Sequence, residues 1–93
     1  MKKIPTEYYL LSNYDKMRYL TEEVNALKKR YKSNEEYFNS LSETVFENST
    51  IGAKEYHEAL AVLNVLVADN DEIHQSLLLI KDLMDDIKQQ LSN

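Results

Sequence analysis

Apolar residues follow two heptad ladders of equal length, one on each side of the only glycine. In both ladders the seam positions alternate steps of three and four residues, which keeps one side of an α-helix facing a partner helix. The first ladder consists of Leu10, Asn13, Met17, Leu20, Val24, Leu27, Tyr31, Asn34, Phe38, Leu41 and Val45. The second consists of Tyr56, Ala59, Leu63, Leu66, Asn70, Ile73, Leu77, Ile80, Met84, Ile87 and Leu91. The pattern predicts an all-α fold, a long antiparallel two-helix hairpin with coiled-coil-like packing.

Residues with helix-start and turn preferences set the limits of the two predicted helices. Pro5 followed by Thr6 and Glu7 is typical of a helix start. Asparagine, serine and threonine before Gly52 favour a turn, and glycine would allow a positive φ angle there. These signals divide a single domain, 1–93, into helix 1 at about 6–47, a turn at about 48–52 and helix 2 at about 53–91.

The facing positions of an antiparallel helix pair have residue numbers with a constant sum. A sum of 104, twice the number of Gly52, pairs ten seam positions of one ladder with ten of the other, from Val45 with Ala59 to Asn13 with Leu91. It also brings the two mid-seam polar residues, Asn34 and Asn70, into one layer. A hydrogen-bonded pair of this kind fixes the register at some cost in stability. The alternative is a kink in helix 1 near Lys32–Asn34, with water solvating both amides.

The same register predicts opposite charges on the flanks of the seam. A basic group on helix 1 faces an acidic group on helix 2, and such flanking charges favour the antiparallel arrangement. The residues concerned are Lys28, Lys29, Arg30 and Lys32 on one side and Asp69, Asp71 and Glu72 on the other. The alternative function of the basic group is to bind an acidic partner.

Composition excludes several classes of protein. Eleven Lys+Arg against 16 Asp+Glu give a net charge of −5, which argues against a general nucleic-acid binder. No cysteine is present, so disulfides and thiolate metal sites are excluded and the redox compartment stays undecided. No apolar run is long enough to span a membrane, and the first residues do not resemble a signal peptide. We expect a cytoplasmic protein, exported, if at all, without a cleaved leader.

Few residues offer catalytic or metal-binding chemistry. Asp71 precedes His74 by three residues, which is half of a carboxylate–histidine di-iron motif, but the seam lacks the remaining ligands. Asp85 and Asp86 form a carboxylate pair with no second wall to complete a cleft. Neither a nucleophile motif nor a phosphate-binding loop occurs. We therefore expect a non-enzyme with no catalytic residue, metal, cofactor or small-molecule substrate.

Helix 2 carries more apolar residues than a two-helix seam can bury. Exposed apolar surface of this extent marks an interaction site, and tyrosine is enriched at protein interfaces. The predicted partner interface consists of Leu60, Val62, Val65, Val67, Leu78, Leu79 and Leu83 on helix 2, with Tyr14 and Tyr19 on helix 1. The expected partner is a second copy, giving a homodimeric four-helix bundle, or the helices of another protein. The alternative for the tyrosines is that their rings wrap the thin core.

The chain length, the central turn and the residues after it resemble the WXG-motif family of small helical hairpins from bacterial type VII secretion. In the stretch 50–56, Gly52 matches the glycine of the motif and Tyr56 the aromatic residue on helix 2. Thr50 stands where the family has tryptophan. The family's Tyr-x-x-x-Asp/Glu export signal follows helix 2, whereas here that spacing occurs only on helix 1, in Tyr19–Glu23.

Relatives of that family that lack the tryptophan are the small helical partners of LXG-domain toxins, and this sequence is most similar to those. The resemblance implies a non-enzymatic protein that binds the helical N-terminal domain of an LXG toxin and helps to target it for export. Three alternatives remain open: a bacteriocin immunity protein, a phage or mobile-element protein that inhibits a host factor, and a self-assembling structural coiled coil.

Overall fold

The computed structural model describes residues 4–43 and 52–92. In these ranges the chain forms a short 3₁₀ helix at Thr6–Leu10, α1 at Asn13–Leu41 and α2 at Ala53–Ser92. The two α-helices pack against each other in a rod of 63 × 20 × 15 Å. This confirms the all-α hairpin. The predicted turn, except for its last residue, and the predicted end of helix 1 lie outside the described residues.

The first long helix begins at Asn13, so the predicted start near Thr6 is wrong. Ser12 has an extended backbone, and its Oγ accepts a hydrogen bond from the N–H of Asp15 at 3.2 Å. Leu11 is also extended, so the chain changes direction between the 3₁₀ helix and α1. A serine that accepts from the third residue after it is a helix N-cap. Once begun, α1 continues without interruption through 32–34.

The main hydrophobic core lies toward the open end of the hairpin, away from the turn. Leu20, Ile73 and Ile80 are at most 1% exposed and form its centre. The cluster is completed by Tyr8, Leu27 and Ile87, with Ile4, Met17, Tyr19, Val24, Leu77, Leu83 and Met84 packed against it. All the fully buried residues of this cluster except Tyr8 are therefore seam positions of the ladders, and the N-terminal segment adds Tyr8 from outside the seam.

The half of the hairpin near the turn is more thinly covered. On α2, Ala59, Leu63 and Leu66 are buried there. On α1, the seam residues Tyr31 and Phe38 stay 49% and 43% exposed. Two helices can cover only one side of a large ring, so position on the seam does not bury an aromatic residue completely.

Gly52 directly precedes α2, and its role differs from the predicted one. No positive φ angle occurs at the described glycine. Its carbonyl oxygen instead accepts a hydrogen bond from the N–H of Tyr56 at 3.1 Å, which starts the α-helical bonding of α2. Glycine is tolerated at this position of a helix. A left-handed conformation at Gly52 is therefore not what the structure uses it for.

Candidate protein-interaction surfaces

A polar layer crosses the seam about half-way along the hairpin. The amide nitrogen of Asn34 donates to Oδ1 of Asn70 at 3.0 Å, which is the pairing that the numbering sum predicts. The same nitrogen also donates to Oδ2 of Asp69 at 2.6 Å. Both asparagines are half-buried, and the described residues leave no buried side-chain polar atom without a hydrogen bond. The layer is thus a three-residue cluster rather than an isolated amide pair.

Arg30 joins this layer from α1 and binds two acidic residues of α2. Its Nε and Nη2 donate to Oδ2 and Oδ1 of Asp69 at 3.0 and 2.5 Å, and Nη2 lies 3.6 Å from Oε1 of Glu72. Hydrogen bonds from Arg30 and then from Asn34 hold the pKa of Asp69 below its ordinary value. Hydrogen bonding to Asp69 likewise raises the pKa of Arg30. Both charges are therefore stabilised by the fold at neutral pH.

The predicted contact between whole charge clusters is reduced to this one arginine. Lys28, Lys29 and Lys32 are exposed, and none forms an ion pair within the described part of the chain. Asp71 is exposed as well. A lysine further round the helix points away from α2, so only the residue beside the seam reaches its partner.

Four of the predicted interface residues on α2 are exposed. Val65 is 67%, Val67 52%, Leu78 51% and Leu79 39% exposed. Leu60 and Val62 are half-buried in the hairpin itself. The four exposed side chains lie outside the seam, so the hairpin alone leaves much of their apolar surface in water.

The exposed residues of α2 do not form the single face that the sequence predicted. Successive residues of an α-helix are rotated by about 100°, so Leu78 and Leu79 point to different sides. Val65 lies on the side of Leu79, and Val67 on the side of Leu78, because 14 and 11 residues are close to whole numbers of turns. We call these the Leu79 side and the Leu78 side.

Two further predicted interface residues belong to the core. Leu83 and Tyr19 are half-buried and pack against the core cluster. Burial raises the pKa of the Tyr19 hydroxyl. For Tyr19, the ring of Tyr8 explains the difference, since its centroid lies 5.8 Å away and the two predicted helices did not include this packed N-terminal segment.

The structure adds an exposed apolar cluster that sequence reasoning missed, beside the start of α1. Leu10 is 85% and Tyr9 60% exposed, next to Tyr14 at 77%. Of these, only Tyr14 was among the predicted interface residues, and Leu10 was assigned to the seam. The signal that could have revealed the cluster is the Ser12–Asp15 cap, which separates Leu10 from the periodicity of α1.

A groove of about 210 Å³ lies next to the polar layer. Its lining residues are Tyr31, Glu35, Phe38, Leu66, Val67 and Asn70. It forms where a small amide occupies a seam position between larger apolar side chains, which leaves space that Tyr31 and Phe38 do not fill. The groove is continuous with the Leu78 side of α2 through Val67.

The described residues show neither a cluster of metal ligands nor a membrane-spanning helix. Across residues 4–43 and 52–92, no three His, Asp or Glu side chains converge as metal ligands would. Neither described helix combines the length and hydropathy that a bilayer crossing requires.

Comparison with known proteins returned no relative of this chain. No protein-family model matches the sequence, and neither a curated protein nor a solved structure shows significant similarity to it.

Proposed function

We propose that this chain is a non-enzymatic protein–protein interaction module whose α2 docks on the helices of a partner. The observation that carries the proposal is the exposure of Val65, Val67, Leu78 and Leu79 outside the seam of the hairpin. Such side chains on a helix that already has one packed face favour further association.

Covering this surface would supply part of the free energy that association requires. Full burial of a valine or leucine side chain contributes about 1.5–3 kcal/mol. Since the four side chains are between 39% and 67% exposed, covering them would contribute about half of that each, or about 3–6 kcal/mol together. The loss of freedom on association offsets part of this sum, so neighbouring contacts are needed for tight binding. The groove beside Val67 is adjacent and is large enough to accept a partner's side chain.

The partner that we propose is the helical N-terminal domain of an LXG toxin of type VII secretion. The proposal is supported by the hairpin architecture and by Gly52 and Tyr56, which are the residues that resemble the WXG-motif family. In this role the chain would be made in the cytoplasm and would bind the toxin there. It would then help to target the toxin for export, with or without leaving the cell itself.

Self-assembly is the second candidate, because α2 is apolar on two sides. A helix in a four-helix bundle packs against two neighbours, and the Leu78 and Leu79 sides could supply both contacts. The partner would then be a second copy of this chain, forming a homodimeric bundle.

The test combines solution mass with one charge substitution and a matched control. Leu79→Glu should abolish association while leaving helicity intact, because it places a carboxylate on the Leu79 side. Asn25→Asp introduces the same charge at an exposed position of α1, away from these residues, and should have no effect.

Light scattering over a concentration series, with and without a purified LXG N-terminal domain, distinguishes the candidates. A complex with that domain supports the toxin partner, whereas a dimer of the chain alone supports self-assembly. A monomer that binds no LXG domain contradicts the proposed function. Loss of helicity in Leu79→Glu would instead show that Leu79 belongs to the core.

A further inference from the structure

The N-terminal segment 4–8 folds back over the side of the hairpin. Tyr8 is only 4% exposed, although it lies outside both α-helices. Its ring centroid is 5.8 Å from that of Tyr19, and Nζ of Lys16 lies 5.5 Å from the Tyr8 centroid. Burial raises the pKa of the Tyr8 hydroxyl, and nearby Asp86 adds to the effect. One aromatic ring therefore anchors the segment.

The surface beneath this ring is apolar and continuous with the core. Tyr19 and Leu83 pack there against the cluster that contains Leu20, Ile80 and Ile87. A polar margin surrounds it, with Lys16 on α1 and Asp86 on α2. An apolar centre within a polar margin is the usual composition of a protein docking surface. We call this surface the Tyr8 site.

The segment is attached to the Tyr8 site by side-chain packing alone. Its two backbone hydrogen bonds, from Tyr8 N–H to the Pro5 oxygen and from Leu11 N–H to the Tyr8 oxygen, stay within residues 5–11. Within the described ranges, no hydrogen bond or ion pair joins residues 4–11 to α1 or α2. A short element held in this way opens more easily than the helices do.

The amino-acid sequence favours a second conformation for the same residues. Leu10 continues the heptad spacing of α1, and Pro5 with Thr6 and Glu7 has the pattern of a helix start. If Leu11 and Ser12 became helical, α1 would extend back to about Thr6. Tyr19 follows Tyr8 by eleven residues, so the two would then lie about 16.5 Å apart along the helix axis. The two rings cannot be in contact in that conformation.

We infer that residues 4–8 occupy, within the chain, a docking site for the partner, and that the partner presents an aromatic side chain in place of Tyr8. The occupant follows from the chemistry of the site, which already holds a tyrosine ring against Tyr19 and beneath the ammonium group of Lys16. When the partner displaces the segment, it straightens as an extension of α1. Leu10 and Tyr14, which are exposed in the structure described above, lie beside the partner's helix in this second conformation. The inference rests on the proposed function, because it specifies where that partner docks.

The probe is a synthetic peptide of residues 4–12, added to the full-length chain that carries Tyr8→Ala. Methyl and ring NMR signals of Leu83 and Tyr19 report on the Tyr8 site. We expect the peptide to shift these signals, and to bind wild-type protein at least tenfold more weakly because its own segment competes. A Tyr8→Ala peptide should lose binding, while a Leu10→Ala peptide is the matched control, since Leu10 is 85% exposed.

Two results would overturn the inference. One is a Tyr8→Ala peptide that binds as well as the native peptide, and the other is no binding of the native peptide to a Tyr8→Ala chain that keeps its helicity. If Tyr8→Ala unfolds, the wild type supplies the test through the NOE between the rings of Tyr8 and Tyr19. Excess peptide should weaken that NOE, and an unchanged NOE contradicts the inference.

The failure of this inference can be distinguished from failure of the proposed function. A second charge substitution, Val67→Glu, should also abolish the association of the proposed function. Loss of peptide binding leaves that effect on solution mass untouched, because Val67 lies on the Leu78 side of α2, beside the polar layer and far from Leu83 and Asp86. In a wild-type dimer, an NOE between Tyr8 of one chain and Tyr19 of the other would place a second copy in the Tyr8 site and overturn the choice of a different partner.

Discussion

Replacing Asp69 by asparagine tests the polar layer that joins the two helices. In the folded chain the Asp69 carboxylate accepts two hydrogen bonds from Arg30 and one from Asn34. Asp69→Asn keeps the size of the side chain and one acceptor oxygen but removes the negative charge. The expected effect is a lower free energy of unfolding without loss of the hairpin.

The magnitude follows from the geometry and the exposure of the pair. The side chains of Arg30 and Asp69 are 37% and 31% exposed, so solvent screens much of their attraction. A bidentate arginine–carboxylate pair is stronger than the usual surface pair, which contributes about 0.2–1 kcal/mol. Because the amide of the variant can still accept one hydrogen bond, we expect Asp69→Asn to cost about 1 kcal/mol at neutral pH.

The pH dependence of this difference has a definite sign. The pKa of Asp69 is lowered in the folded chain from an unfolded value of about 3.9. The stabilisation by the carboxylate is therefore complete above the unfolded pKa and is lost as the pH falls through the folded pKa. Arg30 stays charged throughout, since its pKa is raised. The difference in stability between wild type and Asp69→Asn should be largest near about pH 7 and close to zero near about pH 2.

Urea unfolding followed by far-UV circular dichroism measures both quantities, with Asp71→Asn as the matched control. Asp71 is exposed and has no hydrogen bond or ion pair among the described residues, so its substitution should change stability by less than about 0.5 kcal/mol. An equal loss in both variants, or a loss in Asp69→Asn that persists in acid, would refute the reasoning. The exchange of a carboxyl group for an amide, rather than loss of the Arg30 contact, would then account for the effect.

Two further predictions concern the core and the register. Leu20→Ala should lower the free energy of unfolding by about 3–5 kcal/mol because Leu20 is completely buried, whereas Leu10→Ala should lower it by less than about 0.5 kcal/mol because Leu10 is 85% exposed. Thermal or urea unfolding compares the two variants, and equal losses of stability would mean that Leu10 lies on the seam. The double substitution Asn34→Leu with Asn70→Leu should raise the free energy of unfolding but make the register or the oligomeric state less well defined. Urea unfolding measures the first effect, and light scattering with spin-label distances between the helices measures the second. A clear loss of stability would contradict the view that the asparagine pair fixes the register at a cost in stability.

The heptad ladders predict most of the fold, because burial of one helical side depends on spacing that is visible in the sequence. Leu20, Leu27, Ile73 and Ile80 are seam positions of the ladders, and all four are buried. The sum rule also places Asn34 opposite Asn70, although it does not reveal that Asp69 shares the same amide. Local spacing identifies which residues face the other helix but not which neighbouring side chain competes for a hydrogen bond.

The start of α1 and the limits of the interface could not be predicted in the same way. The heptad spacing continues back through Leu10, but Tyr8 packs against Tyr19 instead of extending the helix. The Ser12 cap therefore sets the start of α1 at Asn13. Leu83, which was predicted to lie in the interface, is partly buried and packs against the core cluster. Contacts of this kind depend on the path of the chain in space, which a pattern along one helix does not contain.

The polar layer has a consequence for the motions of the rod. It separates the core cluster, which includes Ile73, Ile80 and Ile87, from the buried residues Leu63 and Leu66 near the turn. Among the described residues, Leu63 and Leu66 do not belong to that buried cluster, so the polar layer weakens the coupling between the two halves. Amide hydrogens in the middle of α2 should therefore exchange with solvent at two distinct rates, slowly beyond the layer and faster before it. A partner that binds near the turn would then slow exchange in one half while leaving the other almost unchanged.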